Sequence, residues 1–349
     1  MKEMTLNNST AVERKAAVIM PQVKTPAKIA KAERKIIPVF FASDDNYAPF
    51  LDVAMRSLKE NASKNYVYKI YVLHSGMKRG NADKIMTLDD ENFFVSFVDV
   101  SEKLAEVQEF MQLRDYYTSA IYYRLFIVGM FPQYDKAVYL DSDTVTLGDV
   151  GELYSYELGN NLIGAVADGA VASVPAFREY TKKALGVDGG KYFNSGVIVM
   201  NLKKFRAEKF YQKFYDLLKS YQFTVAPDQD CLNILCKGRV RYFAEAWNRM
   251  PQGVNRGGAP KLIHYNLAQK PWHYDDILYQ EYFWEYAKKS PFYEDIKANR
   301  AAFTPEMAAR DELGGKNLVK LALKEAESEK NYYRLYGEKA KAGAKNGRN

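Results

Sequence analysis

The sequence predicts an α/β protein built on a largely parallel sheet with helices on both faces. Three observations carry this. Apolar runs of strand length recur along the first two hundred residues, and segments with apolar residues three and four apart lie between them. The 349-residue chain is also 47% apolar and 14% aromatic, enough to bury a substantial core.

Ordered structure is expected from IIPVFFAS, Ile36 to Ser43, an apolar run bounded by Asp44, Asp45 and Asn46, which are good helix N-caps. A helix follows, because Tyr47, Phe50, Leu51, Ala54 and Leu58 keep helical spacing. Tyr66 to Leu73 reads as the second strand, Lys84 to Leu88 as part of a helix, and Phe93 to Val98 as the third strand. The alternation continues with a helix around Ala120 to Val128, a strand ending at Asp141, and strands at Leu162 to Val166 and Gly196 to Met200. Helices are expected at Lys203 to Lys219 and Asp228 to Leu235, then a short strand at Lys261 to His264. Leu318 to Tyr336, rich in Lys and Glu, has an amphipathic helical pattern. The domain reading is a flexible basic arm over 1–34, a catalytic domain over 35–275 and a helical extension with a basic tail over 276–349.

Composition narrows the class. The longest apolar stretch, Ala120 to Phe131, is interrupted by Arg124, so no membrane span of about 18 residues is expected. Ala16 to Met20 is too short for the apolar part of a secretory signal, so the protein is expected in the cytoplasm. Cys231 and Cys236 suit neither a disulfide nor a zinc-ligand spacing and read as reduced, partly buried thiols. The net charge of +7 gathers at the ends: Met1 to Lys35 holds eight Lys/Arg against three Glu, and Lys316 to Asn349 nine against four. With no nucleic-acid motif beside that charge, nucleic acid is not expected as a partner.

The chemistry starts at KAVYLDSDTV, Lys136 to Val145. An apolar strand ends in Asp141 and Asp143, which alternation places on one side, and two close carboxylates repel unless a cation or a proton intervenes. Mn²⁺ and Mg²⁺ take oxygen ligands, and Mn²⁺ also accepts an imidazole, for which His264 in KLIHYNLAQKPW is the candidate. Lys270 in the same loop supplies a second positive charge for a diphosphate. The first strand runs into Ala42-Ser43-Asp44-Asp45-Asn46, not into a Gly-x-Gly-x-x-Gly turn, so polar side chains rather than glycines meet a nucleotide there. In open α/β sheets ligands bind beyond the carboxyl ends of the strands, where Asp44, Asp141 and His264 all fall.

Six stretches, FASDDNYA, YYRL, VYLDSDTV, YFNSGVIVMNL, PDQDCLN and HYNLAQKPWH, together resemble the ordered motifs of glycosyltransferase family 8. The likeness spans about Ile36 to His273 and is strongest to bacterial lipopolysaccharide galactosyltransferases and glucosyltransferases, with the glycogenin branch more distant. It implies a GT-A fold, a Rossmann-like mostly parallel sheet flanked by helices. It also implies a UDP-galactose or UDP-glucose donor, Mn²⁺ (or Mg²⁺), and transfer with retention to a saccharide or glycolipid acceptor. On the matching positions, the resemblance assigns Ala42, Asp44 and Asn46 to the uridine, and Asp141, Asp143 and His264 to the metal. Lys270 is assigned to the diphosphate, Arg124, Asp168 and Asn194 to the donor sugar, and Asp228 and Gln229 to the sugar's far face as catalytic residues. Leu267 stands where many relatives have a glycine.

Retention proceeds either through a covalent sugar–enzyme intermediate or by front-face attack. Gln229 is a poor nucleophile, which favours the front-face route and leaves Asp228 as the only carboxylate for the other. Two further readings are a self-glucosylating primer, for which 27 tyrosines offer acceptors, and a non-catalytic nucleotide-sugar binder. The basic C-terminal stretch fits a peripheral contact with anionic membrane.

Overall fold

The computed structural model describes residues 34–111, 119–251 and 258–337. Contacts divide the chain into units 1–34 and 35–349. The expected flexible arm and the last of the basic tail lie outside the described residues.

Nine strands occur among the described residues: β1 Lys35–Ala42, β2 Tyr66–His74, β3 Phe93–Asp99, β4 Ala137–Leu140, β5 Thr144–Thr146, β6 Ile163–Ala167, β7 Phe193–Met200, β8 Val240–Tyr242 and β9 Leu262–His264. Seven form one sheet in the order β3-β2-β1-β4-β7-β6-β8, while β5 and β9 make a separate antiparallel ribbon. The first three strands and β4 are parallel, as alternation with helices predicts. β7 is the exception and runs antiparallel to both β4 and β6. All eight of its residues are buried, and a strand buried on both faces carries no sequence pattern that betrays its direction.

The sheet is covered on both sides. Ile37, Val39 and Phe41 of β1 pack with Leu51, Ala54, Met55 and Leu58 of the Ala48–Glu60 helix on one face. That helix starts with Pro49 in its first turn, where a missing N–H costs nothing, and follows a short turn capped by Asp44. Phe40 and Tyr139 point to the other face and meet Phe126, Phe205, Phe214 and Leu232. Cys231 and Cys236 are free and buried there, as expected.

Three helix expectations change. Ala120 to Val128 is mostly a 3₁₀ turn, Ser119–Leu125, followed by the short helix Ile127–Met130. Tyr122, Tyr123, Arg124 and Leu125 are all buried, and four consecutive inward side chains do not suit an α-helix with one solvated face. Lys203 to Lys219 divides into Leu202–Ala207 and Phe210–Ser220, because Lys209 adopts φ 53° between them. The closing helix is Pro305–Glu327, not Leu318 to Tyr336; it is capped by Thr304 and stops at extended Ser328. Buried Asn331 then donates to the Glu325 carbonyl and accepts from the Arg334 N–H, folding the chain back before a π turn at Tyr333–Gly337.

No helix among the described residues is long and apolar enough to cross a membrane.

Candidate active site and metal centre

β4 delivers Asp141 at its carboxyl end, and the chain turns through Ser142 and Asp143 into β5. Ser142 Oγ donates to the Ala42 carbonyl (2.8 Å), locking the turn to the end of β1. Thr144 of β5 lies opposite His264 of β9, so a three-residue ladder carries the imidazole to the aspartates. Asp141, Asp143 and His264 each offer one ligand atom, all within 4.8 Å of one another. His264 Nε2 lies 3.6 Å from Asp141 Oδ2 and 3.2 Å from Asp143 Oδ1.

The other oxygen of each carboxylate is already committed. Asp141 Oδ1 accepts from Arg124 Nη2 (2.9 Å) and Tyr139 OH (2.8 Å), and Asp143 Oδ2 accepts from the Lys270 ammonium. Burial acts to raise the pKa of Asp143, and the Lys270 ammonium with the His264 ring overcomes it, holding the carboxyl below the usual carboxylate range. Arg124 is buried, and its neighbours Asp141 and Asp228 outweigh desolvation to keep it charged.

A backbone amide fixes the His264 tautomer. Asn194 Oδ1 accepts from the Gly196 N–H (3.0 Å), so it also accepts from Asn248 Nδ2 (2.9 Å), which turns Asn248 Oδ1 toward His264 Nδ1 at 3.1 Å. Nδ1 therefore carries the proton, and the Nε2 lone pair faces the carboxylates. Asp143 Oδ1 is buried and accepts no hydrogen bond. A Cβ on Gly196 would lie 2.2 Å from His264 Cε1 and 2.5 Å from Asp141 Oδ2, so only glycine leaves these groups room to converge. Two carboxylates and an imidazole with unshared electron pairs turned inward fit Mn²⁺ or Mg²⁺.

A second set of polar side chains continues from the centre. Asp168 caps the Gly169–Ser173 helix with Oδ1 and accepts from Asn194 Nδ2 (3.1 Å) and Gln229 Nε2 (3.3 Å) with Oδ2. Gln229 Oε1 accepts from the Ser195 N–H (2.8 Å) and Ser195 Oγ (3.2 Å). Asp228 Oδ2 accepts from Ser195 Oγ (3.3 Å) and lies 3.5 Å from Arg124 Nε. Burial raises the Asp228 pKa, and Arg124 works against it. Asp228 and Gln229 open the Pro227–Leu235 helix, whose start is fixed by Asp230 accepting from the Ala226 N–H (3.1 Å).

These groups line one cavity of about 270 Å³ that takes in Ala42, Asp44, Arg124, Asp141, Asp143, Asp168, Asn194, Asp228, Gln229, His264 and Lys270. Of the sequence-derived site residues, only Asn46 stands outside the lining: it is exposed on the Asp45–Tyr47 turn, while Asp44 and Tyr47 on either side reach the cavity. Leu267 also lines it, with φ 60°. The loop thus keeps a backbone that favours glycine, at a cost of about 1 kcal/mol or more for a leucine. Ser195, Gly196, Tyr139 and Asn248 were not singled out from sequence. For Gly196 the signal was available, since a lone glycine within an apolar strand marks close approach.

The family model for glycosyl transferase family 8 matches residues 38–276. A putative glycosyltransferase of Haemophilus influenzae is 31% identical over 246 residues, covering 67% of this chain and 72% of that protein. The lipopolysaccharide 1,2-glucosyltransferase of Escherichia coli K12 is 29% identical, with 67% and 72% covered. The galactosyltransferase LgtC, solved with donor and acceptor sugar analogs, superposes with a TM-score of 0.64 at 27% identity, covering 73% of this chain and 96% of that one. The mixed sheet, its flanking helices and the helical C-terminal extension are those of the GT-A fold. The family match over most of the chain, with these likenesses in sequence and structure, means that the chain belongs to glycosyl transferase family 8 and is a hexosyltransferase.

Proposed function

We propose that the protein transfers galactose or glucose from a UDP-sugar, with retention and with Mn²⁺ or Mg²⁺ bound, to a saccharide or glycolipid acceptor of cell-surface polysaccharide. The observation that carries this is the inward convergence of Asp141, Asp143 and His264 over Gly196. The lipopolysaccharide 1,2-glucosyltransferase and LgtC likenesses support the choice of hexose and acceptor class.

In this reading Asp141, Asp143 and His264 would hold the cation, which would supply positive charge for the leaving diphosphate. Ala42 and Asp44 meet the uridine at the end of β1. Lys270 exchanges its bond to Asp143 for the diphosphate, and Arg124 keeps Asp141 oriented throughout. Asp168 and Asn194 hold the donor sugar. Gln229, gripped by Ser195 at its oxygen and Asp168 at its nitrogen, presents a fixed dipole to the oxocarbenium-like carbon. Asp228 is engaged by Ser195 and Arg124, which supports front-face attack, with the departing phosphate taking the acceptor's proton, over a covalent intermediate on that carboxylate.

Location in the cytoplasm at the inner membrane face belongs to the same proposal. It is supported by Lys316, Lys320 and Lys324 at four-residue spacing beside the exposed Leu313 and Leu323 on the terminal helix. Co-sedimentation with anionic liposomes at low salt tests the contact.

The function is tested by incubating the protein with a panel of UDP-sugars and Mn²⁺ and measuring released UDP. UDP-galactose or UDP-glucose is expected to be consumed, with chelator stopping the reaction. Release that ignores chelator, or no release from either donor, overturns the reading.

A further inference from the structure

The cavity has two chemically different ends. One carries Asp44, Asp141, Asp143, His264 and Lys270. Four apolar residues, Val171, Phe177, Val225 and Leu318, also line the cavity, beside Tyr180 and Thr181: Val171 lies on the helix that Asp168 caps, and the Pro175–Tyr180 helix that carries Phe177 packs against the helix that carries Leu318. Val171, Phe177 and Leu318 are half-buried and keep part of their apolar surface accessible, while Val225 is buried. Leu318 comes from the Pro305–Glu327 helix, beyond residues 38–276 that match the family model. This wall is therefore built by a part of the chain that the family match does not cover.

The helix is held in place for that task. Ala322 and Ala326 are fully buried, and small side chains let it sit close to the catalytic unit. Asp311 accepts from Tyr274 OH (2.8 Å), just after the Lys270 loop, and Glu325 accepts from Tyr221 OH (3.1 Å), so both halves are tied to the body of the enzyme.

We infer that this apolar end receives the aglycone of the acceptor, an apolar group attached to the sugar that is to be extended, with Leu318 as its outer wall. The inference rests on the reading of the site as a sugar-transfer centre. The charged end matches the nucleotide diphosphate, and Asp168, Asn194 and Gln229 satisfy the hydroxyl-rich donor sugar. The group beyond them belongs to the acceptor, because only donor and acceptor meet there. A bare sugar has little apolar surface to cover four hydrocarbon side chains, whereas an alkyl or lipid aglycone removes them from water with gain for every methylene buried.

The test uses the full chain with Mn²⁺ and UDP, titrated calorimetrically with methyl and octyl glycosides of glucose and galactose below micelle-forming concentrations. At least one octyl glycoside is expected to bind about tenfold or more tightly than its methyl counterpart. Leu318→Ser is expected to remove most of that difference, and Leu318→Ala part of it; thermal melting of both variants reports whether they are folded. Equal affinity of the two glycosides, no binding by any octyl glycoside, or an octyl preference that survives Leu318→Ser in a folded variant overturns the inference. Metal-dependent UDP release from wild type without acceptor, measured in parallel, separates the readings: its absence removes the transferase proposal, and its presence without an octyl preference removes only this one.

Discussion

Arg124 and Asp141 divide the work of a single carboxylate: the guanidinium holds Oδ1 at 2.9 Å and thereby turns Oδ2 toward His264. Lys270 does the same for Asp143, holding Oδ2 while Oδ1 lies toward His264. Each aspartate is anchored by a side-chain cation on its outer oxygen and offers the inner one, which is how two like charges are kept together in a half-buried place.

Asp143→Ala takes away the buried oxygen that lacks a hydrogen bond. The remaining pair of ligands is too few to hold the ion against water. Metal-dependent UDP release is expected to fall by about a hundredfold or more, together with Mn²⁺ affinity measured by calorimetry. Full activity that ignores chelator would contradict the metal assignment.

Gly196→Ala tests the same centre from below. The added methyl meets His264 and Asp141 at distances no Cβ tolerates, so the imidazole has to move. Mn²⁺ affinity should drop at least about tenfold, with roughly 1–3 kcal/mol of stability lost in denaturant melts. Unchanged Mn²⁺ binding in this variant would mean that these groups do not hold the ion.

Gln229→Ala is expected to separate turnover from binding. Its amide is held by Asp168 and by the backbone and hydroxyl of Ser195, away from the cation-holding carboxylates Asp141 and Asp143 in sequence and role. We expect kcat to fall by about ten- to a hundredfold while the UDP dissociation constant stays within about threefold. A large loss of UDP affinity, read by titration calorimetry, would show that Gln229 supports the nucleotide instead.

The pH dependence of stability should report Asp230. Burial pushes its pKa up to about 7, against the opposing pull of the Tyr180 and Tyr192 hydroxyls and the Ala226 N–H. The folded value lies above the unfolded one of about 4, so the stabilising contribution is complete below pH 4 and is lost as pH rises through 7. Denaturant melts across that window should show a decline, on the order of 4 kcal/mol at most, that Asp230→Asn flattens. Parallel curves for the two proteins would exclude Asp230 as the source.

Much of the site was readable because its chemistry is local to short motifs. Asp141 and Asp143 announce themselves as paired carboxylates at a strand end, and Asp228 with Gln229 opens a helix that starts where its proline says it should. His264 was placed by its chemistry, but the ribbon that brings it there was not foreseen. Thr144–Thr146 is three residues long, too short for any periodicity to speak, and its partner is more than a hundred residues away. Asn248 was invisible for a related reason: its value lies in a hydrogen-bond chain through Asn194 to a backbone amide, which exists only after folding. The Ala120 to Val128 segment misled because its apolar and aromatic content fits a helix, while burial on every side favoured the tighter turn.

The β5–β9 ribbon also bears on the order in which the enzyme assembles. Its two strands are joined across more than a hundred residues, so the entropy of closing that segment is met late, and the imidazole should dock after the main sheet has condensed. As a two-stranded ribbon outside the main sheet it is a natural place for partial opening, in which amides of Thr144 to Thr146 would exchange with solvent sooner than those of β1 or β4. An ion clasped between the two strands would slow that exchange, so the ribbon's protection would rise and fall with occupancy while the rest of the sheet stayed indifferent.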